Sequence, residues 1–211
     1  MRRLLLLLTF ILSTLTTYSQ DQKFHFGLKI APSMAWIKPD KKGLERDGYR
    51  LGFGYGVQME FRIQENYAIA SGVQISYRGG NIKYNFEDTG SVVIPDPVIN
   101  YKLQYVEIPI ALKMKTNEFK KFRYYGMFGF SPGYIIRSKY DTEKEDNLDA
   151  KEAMNEFNIN MLIGAGLEYT ISGTTVLTGG IEFNNGFFDV FDGDDAKGVT
   201  NYLGLNLGVL F

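Results

Sequence analysis

The sequence predicts an all-β fold: an eight-stranded, antiparallel, up-and-down transmembrane β-barrel with short periplasmic turns and longer extracellular loops. Three observations carry this. Apolar and polar residues alternate with period two along eight segments. The connections between those segments alternate short and long. The chain opens on a secretory leader, with Met1-Arg2-Arg3 as its basic region and Leu4 to Leu15 as its apolar one. That apolar run is too short to span a bilayer. Thr17-Tyr18-Ser19 offers small residues for cleavage before Gln20, so residues 1–19 read as a signal peptide and residues 20–211 as the barrel domain.

Successive side chains of a strand point to opposite faces, so alternation marks a strand with two unlike environments. In the first segment, Phe24, Phe26, Leu28, Ile30, Met34 and Trp36 oppose His25, Gly27, Lys29, Ala31 and Ser33. The second, 49–63, is the cleanest. Tyr49, Leu51, Phe53, Tyr55, Val57, Met59, Phe61 and Ile63 alternate with Arg50, Gly52, Gly54, Gly56, Gln58, Glu60 and Arg62. A helix would scatter both sets around its axis. In 67–78, Tyr67, Ile69, Val73, Ile75 and Tyr77 oppose Ala68, Gly72, Gln74, Ser76 and Arg78. Gly79-Gly80 then suggests a bulge or bend. In 101–115, Val106, Ile108, Ile110, Leu112 and Met114 oppose Glu107, Ala111 and Lys113.

Segment 123–140 has unclear parity, because Tyr124, Phe128 and Phe130 compete with Tyr125 and Met127. Pro132 cannot donate to a ladder and implies a bulge there. In 157–171, Phe157, Ile159, Met161, Ile163, Leu167, Tyr169 and Ile171 face away from Asn158, Asn160, Gly164, Gly166, Glu168 and Thr170. Segment 175–187 sets Leu177, Ile181, Phe183 and Phe187 against Thr178, Gly180, Glu182 and Asn184. The last strand sets Leu203, Leu205, Leu207, Val209 and Phe211 against Tyr202, Gly204, Asn206 and Gly208.

Connections at 64–66, 116–122 and 172–174 are short, whereas those at about 38–48, 87–98, 141–155 and 188–199 are long and polar. That asymmetry separates periplasmic turns from extracellular loops and places both termini on the periplasmic side. Asp141 to Glu156 is expected to be a solvated loop of mixed charge, with a short helix over Leu148 to Glu156 as the alternative.

The facing of the strands follows from size. The bore of an eight-stranded barrel admits only side chains or one small ligand. One face here is bulky on every strand and the other is mostly Gly, Ala, Ser, Asn and Gln with some charge. Bulky aromatics on every strand would crowd the bore; turned outward they form a lipid-facing band. In lipid the backbone must be fully paired, so the sheet must close. Trp36, Tyr49, Tyr67, Tyr77 and Tyr169 sit where aromatic girdles belong. Mean hydropathy is −0.16, as expected when apolar and polar positions cancel. A net charge of −1 gives no reason to expect a nucleic-acid partner. The absence of cysteine excludes disulfides, thiolate metal sites and a cysteine nucleophile.

Tyr105-Val106-Glu107-Ile108-Pro109-Ile110-Ala111-Leu112-Lys113 resembles the central strand of the PorT-like outer-membrane β-barrel family of the Bacteroidota. His25-Phe26-Gly27-Leu28-Lys29, Gly164-Ala165-Gly166-Leu167-Glu168-Tyr169, the strand from Leu203 to Phe211 and Tyr18-Ser19-Gln20 are similar to that family too. The resemblance implies the barrel and the outer membrane, and little about activity. Its founding member is associated with type IX secretion, but no motif here selects that branch. The C-terminal strand, with Leu203, Leu205, Leu207, Val209 and Phe211, also resembles the signal read by the barrel assembly machinery.

The inward set Arg50, Glu60, Arg62, Arg78, Glu107, Lys113, Glu168 and Glu182 holds four acids and four bases. Charges in a narrow bore are costly unless paired, so this set is expected to be a network that plugs the lumen and holds its shape. His25, the sole histidine, lies at the start of the first strand with no serine motif beside it, and no catalytic residue is expected. Asp192-Gly193-Asp194-Asp195 lacks the spacing of an EF-hand, so no metal or cofactor is expected. Val92, Val93 and Ile94, with Pro95 and Pro97, are the one apolar stretch in the loops and are marked for partner contact. The expected function is a non-enzymatic outer-membrane barrel, structural or accessory to a secretion or envelope-assembly complex. The expected partners are the bilayer, the assembly machinery and other envelope proteins. The alternatives are a lipid-modifying enzyme and a narrow solute channel.

Overall fold

A computed structural model describes residues 23–84, 98–142, 145–193 and 196–211. The expected signal peptide (residues 1–19), the loop marked for partner contact (Val92, Val93, Ile94, Pro95, Pro97) and Asp194-Asp195 lie outside the described residues. In chain order the elements are β1 (Phe24–Pro39), β2 (Leu44–Arg46), β3 (Arg50–Gln64), β4 (Tyr67–Tyr84), β5 (Val98–Glu107), β6 (Ile110–Lys115), β7 (Phe122–Asp141), β8 (Leu148–Asp149), a 3-10 turn (Lys151–Ala153), β9 (Phe157–Ser172), β10 (Thr175–Gly186) and β11 (Gly198–Leu210).

Neighbouring long strands pair antiparallel around a closed ring. β1 pairs with β3 and with β11, β3 with β4, and β4 with β5 and β6. β7 pairs with β5, β6 and β9, and β10 joins β9 to β11. Because β5 and β6 form one wall, broken only at Ile108-Pro109, the ring has eight staves. Closure leaves no sheet edge in hydrocarbon, as a membrane barrel requires. The two short strands, β2 and β8, add to the loop ends of β4 and β7.

The apolar face is the outer one. Phe26, Leu28, Ile30, Phe53, Ile75's neighbours Val73 and Tyr77, Ile110, Phe128, Ile163, Ile181 and Leu205 are all exposed on the outer wall. Trp36 meets Tyr49 edge-on at 5.5 Å and stacks on Phe183 at 6.2 Å near the loop end. Phe122 and Tyr169 meet at 4.8 Å near the turn end. Two aromatic belts thus border the band.

The turn end is compact. Glu65-Asn66 and Gly173-Thr174 separate their strands. Between β6 and β7, Phe119 and Phe122 exchange backbone hydrogen bonds of 2.9 Å around Lys120 and Lys121. Their φ values of 49° and 71° make this a type I′ turn in which two lysines stand where Asn-Gly is usual.

Three local expectations are corrected. Gly79-Gly80 carries no bulge: it stays in register with Lys102 and Tyr101. What these glycines permit is close approach, because a Cβ on Gly80 would lie 2.4 Å from the Ile37 backbone nitrogen. Pro132 is also in register, opposite Ile159. The bulge in β7 falls a turn later, where Gln104 pairs with Arg137 but Tyr105 pairs with Ile135, leaving Ile136 extra. It switches the facing of the strand, so Tyr125, Ser131 and Ile135 point inward below it and Ser138 above it. In place of the alternative helix over Leu148 to Glu156 stand the two-residue β8 and a single 3-10 turn.

Candidate functional site

The lumen holds the chemistry, in three levels set by the strand registers. At the turn end, Lys113 and Lys115 of β6 lie between Glu60 of β3 and Glu168 of β9. Lys113 Nζ pairs with Glu60 and lies 2.6 Å from Glu168, and Lys115 Nζ is 2.5 Å from Glu60 and 2.8 Å from Glu168. Lys113 Nζ also sits 4.0 Å from the Tyr125 ring centre. Two cations alternating with two anions, all nearly buried, balance one another where desolvation of any one alone would be severe. Lys115 is absent from the sequence-derived set. It sits at the end of its segment, where period two alone does not say whether the strand has stopped.

The middle level centres on Glu107, which is fully buried. Its carboxylate pairs with Arg78 at 2.7 Å and accepts from Gln74 Nε2 at 2.8 Å and Ser76 Oγ at 2.6 Å. The Arg78 guanidinium lies 4.0 Å from the Tyr105 ring centre and 4.7 Å from that of Tyr202. The two rings therefore clamp the cation between π faces while Glu107 neutralises it. Glu182 of β10 stands beside this pair without a cation at ion-pair distance among the described residues. It accepts instead from the side-chain amides of Asn184 (2.6 Å) and Asn206, and from Tyr202 Oη at 3.4 Å. Gly166 and Gly180 leave the room that Tyr125 Oη fills; a Cβ on Gly166 would come within 2.6 Å of it. A void of about 50 Å³ lies between the two lower levels, lined in part by Lys29, Glu60, Lys113, Tyr125 and Glu182, with room for a few waters at most.

The upper level overturns the expectation of a lumen polar throughout. Ile37, Ile82, Tyr101, Leu103, Tyr105 and Ile135 point inward near the loop end and are buried. Ala150 and Met154 from one loop and Val190 and Phe191 from the next pack onto them. Phe191 meets the Tyr101 ring edge-on at 5.2 Å. A bridge between Met154 and Phe191, and Asn155 Nδ2 bonds to Asp189 and Phe191 carbonyls at 3.0 and 2.8 Å, tie the two loops together. The physical reason is that β4, β5 and β7 run past the membrane band. Above it the outer face meets water and the inner face can be an ordinary apolar core.

The remaining inward charges lie apart from these levels. Arg50 is at the mouth, donating to Asn100 Oδ1. Arg62 is at the turn end beside His25, Glu65 and Lys115, and no carboxylate lies within ion-pair distance of it among the described residues. His25 pairs in register with Glu60. In the last strand, Leu203, Leu205 and Leu207 face outward, and Val209 is half-buried. Phe211 donates its N–H to the Phe26 carbonyl at 2.7 Å, tying the C-terminus to β1. Among the described residues no group of three or more His, Cys, Asp or Glu could hold a metal.

No curated protein matches the chain. Among solved structures it is similar to Neisserial surface protein A, at 16% identity with a TM-score of 0.54, covering 90% of this chain and 96% of that one. It is also similar to Ail, the attachment invasion locus protein of Yersinia pestis (16% identity, TM-score 0.40, 90% and 100% covered). A third is the outer membrane protease OmpT from Escherichia coli (13% identity, TM-score 0.46, 92% and 98% covered). At such identities the likeness is one of fold alone. A family model described as outer membrane protein beta-barrel domain matches residues 18–192. Spanning most of the chain, and agreeing with a closed ring whose apolar face is turned outward, that match means that this protein resides in the outer membrane and belongs to the outer membrane protein beta-barrel domain family.

Proposed function

We propose that this protein is a non-enzymatic structural or accessory subunit of the outer membrane, a closed scaffold whose extracellular loops carry its specificity. The observation that carries the reading is the double closure of the lumen: buried ion pairs below, an apolar cap of loop residues above. In this reading Glu60, Arg78, Glu107, Lys113 and Glu168 form a plug that holds barrel shape, Glu182 supports it through amides, and Arg50 and Arg62 mark its two mouths. Residues 1–19 direct export and are removed. Leu203, Leu205, Leu207, Val209 and Phe211 form the strand read by the barrel assembly machinery. A place in a secretion or envelope-assembly complex is part of this reading; the resemblance of Tyr105 to Lys113 to the PorT-like family of the Bacteroidota is compatible with it but does not select the secretion branch. The apolar residues Val92, Val93 and Ile94, with Pro95 and Pro97, are the partner-contact loop.

The test is cross-linked pull-down from detergent-solubilised outer membranes, with wild type and with Val92, Val93 and Ile94 changed to Ser. A defined envelope protein retained by the wild type and lost with the variant is expected. Equal recovery with both, or no stoichiometric partner, would overturn the accessory role. His25→Ala is expected to leave the lipid A profile unchanged, and an altered profile would overturn the non-enzymatic reading.

A further inference from the structure

The pairing of β7 with β9 ends at Tyr134 and Phe157, and pairing with β8 begins only at Lys139 and Asp149. Between those points β7 has no strand beside it on that edge. The chain over residues 151–155 arches away, leaving a cleft of about 580 Å³ in the outer wall. Its lower rim is Tyr134 and Ile136, both exposed and continuous with the lipid-facing band. Above them stand Arg137, Lys139 and Lys151. The cleft is thus apolar where it meets hydrocarbon and cationic one layer higher.

The charges there are unequally partnered. Of the acids that line it, Glu156 accepts from Tyr134 Oη and lies 3.8 Å from Lys151, and Asp149 accepts from the Lys151 N–H at 2.9 Å. Lys102, directly opposite Lys139 on β5, is paired with Asp141. Arg137 and Lys139 have no carboxylate within ion-pair distance among the described residues. Two lysines facing each other across a ladder repel, and only one of them has its counter-ion. The Ile136 bulge is what turns Arg137 out beside Ile136 rather than into the lumen.

We propose that the cleft bounded by Tyr134, Ile136, Arg137, Lys139 and Lys151 binds the phosphorylated headgroup of an outer-leaflet glycolipid, with its acyl chains along the Tyr134–Ile136 rim. Arg137 presents a planar fork suited to phosphate oxygens and Lys139 a second point charge. The level of the cleft, at the top of the apolar band on the loop side, is where such a headgroup lies.

The test is binding of diphosphoryl lipid A, doped into phosphatidylcholine nanodiscs that hold the full barrel, followed by native mass spectrometry. Wild type should retain the lipid, and R137Q/K139Q should bind about tenfold more weakly or less, as expected for loss of charge-assisted bonds. The single variants R137Q and K139Q give the same readout, with smaller losses, if the double variant does not assemble. Equal retention by wild type and variants would overturn the site. Displacement by inorganic phosphate at concentrations comparable to the lipid would reduce it to a simple anion site and overturn the glycolipid assignment.

Discussion

Arg78 and Glu107 show how much a single pair contributes to a narrow lumen. Each is almost wholly removed from solvent, and each has neutral partners as well as the other: Tyr105 and Tyr202 for the cation, Gln74 and Ser76 for the anion. Removing one member leaves the other as an uncompensated buried charge. Arg78→Met should therefore destabilise the barrel by about 3–5 kcal/mol, measured by urea unfolding in lipid vesicles. The double variant R78M/E107Q, which removes both charges, should recover much of that loss. A double variant no more stable than R78M would mean that the charge balance is not what the pair provides. That both residues face the lumen was legible in the sequence, because each follows clean alternation inside a long strand, but that they pair with each other was not. Their clamping by Tyr105 and Tyr202 was not, since alternation gives the face of a residue and not its neighbour across the bore.

At the scale of the element, β7 explains both what alternation captures and where it fails. Below Ile135 its odd residues face inward; a single extra residue, Ile136, then reverses the rule. The competition of Tyr124 and Phe128 with Tyr125 and Met127 has another cause: all four lie below the bulge, and Tyr125 and Met127 are bulky inward residues that fill the space left by Gly164, Gly166 and Gly180. The apolar mouth was hidden for a related reason. Ile37, Ile82 and Leu103 lie beyond the membrane band, where an apolar inner face is as good as a polar one once loops cover it, and nothing in the strands says that the loops return. The cover can be removed selectively. Met154→Asp would bury an unpaired carboxylate in the cap, so the 145–156 segment should lift and trypsin should cut at Lys151, while the barrel keeps its heat-modifiable mobility. Protection equal to wild type would mean the cap is not held by this packing.

The same loop has a pH dependence. Lys102, foremost, and then the Asn147 N–H at 2.8 Å hold the Asp141 carboxyl below its ordinary pKa. The contacts favour the anion, so their contribution is complete above the ordinary aspartate pKa of about 3.9 and fades as pH falls through the depressed folded value. Hydrogen exchange at the Asn147 amide should lose protection over that acid range and not near neutrality. Unchanged protection in acid would contradict it.

At the scale of the molecule, a closed ring makes the outward and inward faces separate worlds, one selected for grease and one for pairing. The single tryptophan, Trp36, reports which is which. It stands on the outer wall between Tyr49 and Phe183. In vesicles of brominated lipid its fluorescence should be strongly quenched, with little further quenching by iodide; the reverse pattern would invert the facing of the strands.

The lumen is shut at two levels, by ion pairs toward the periplasm and by packed loops toward the exterior. Planar-bilayer recording of the purified barrel measures that directly. No discrete conductance is expected from the wild-type protein at any holding potential, and steady unitary currents from it would contradict the closed scaffold.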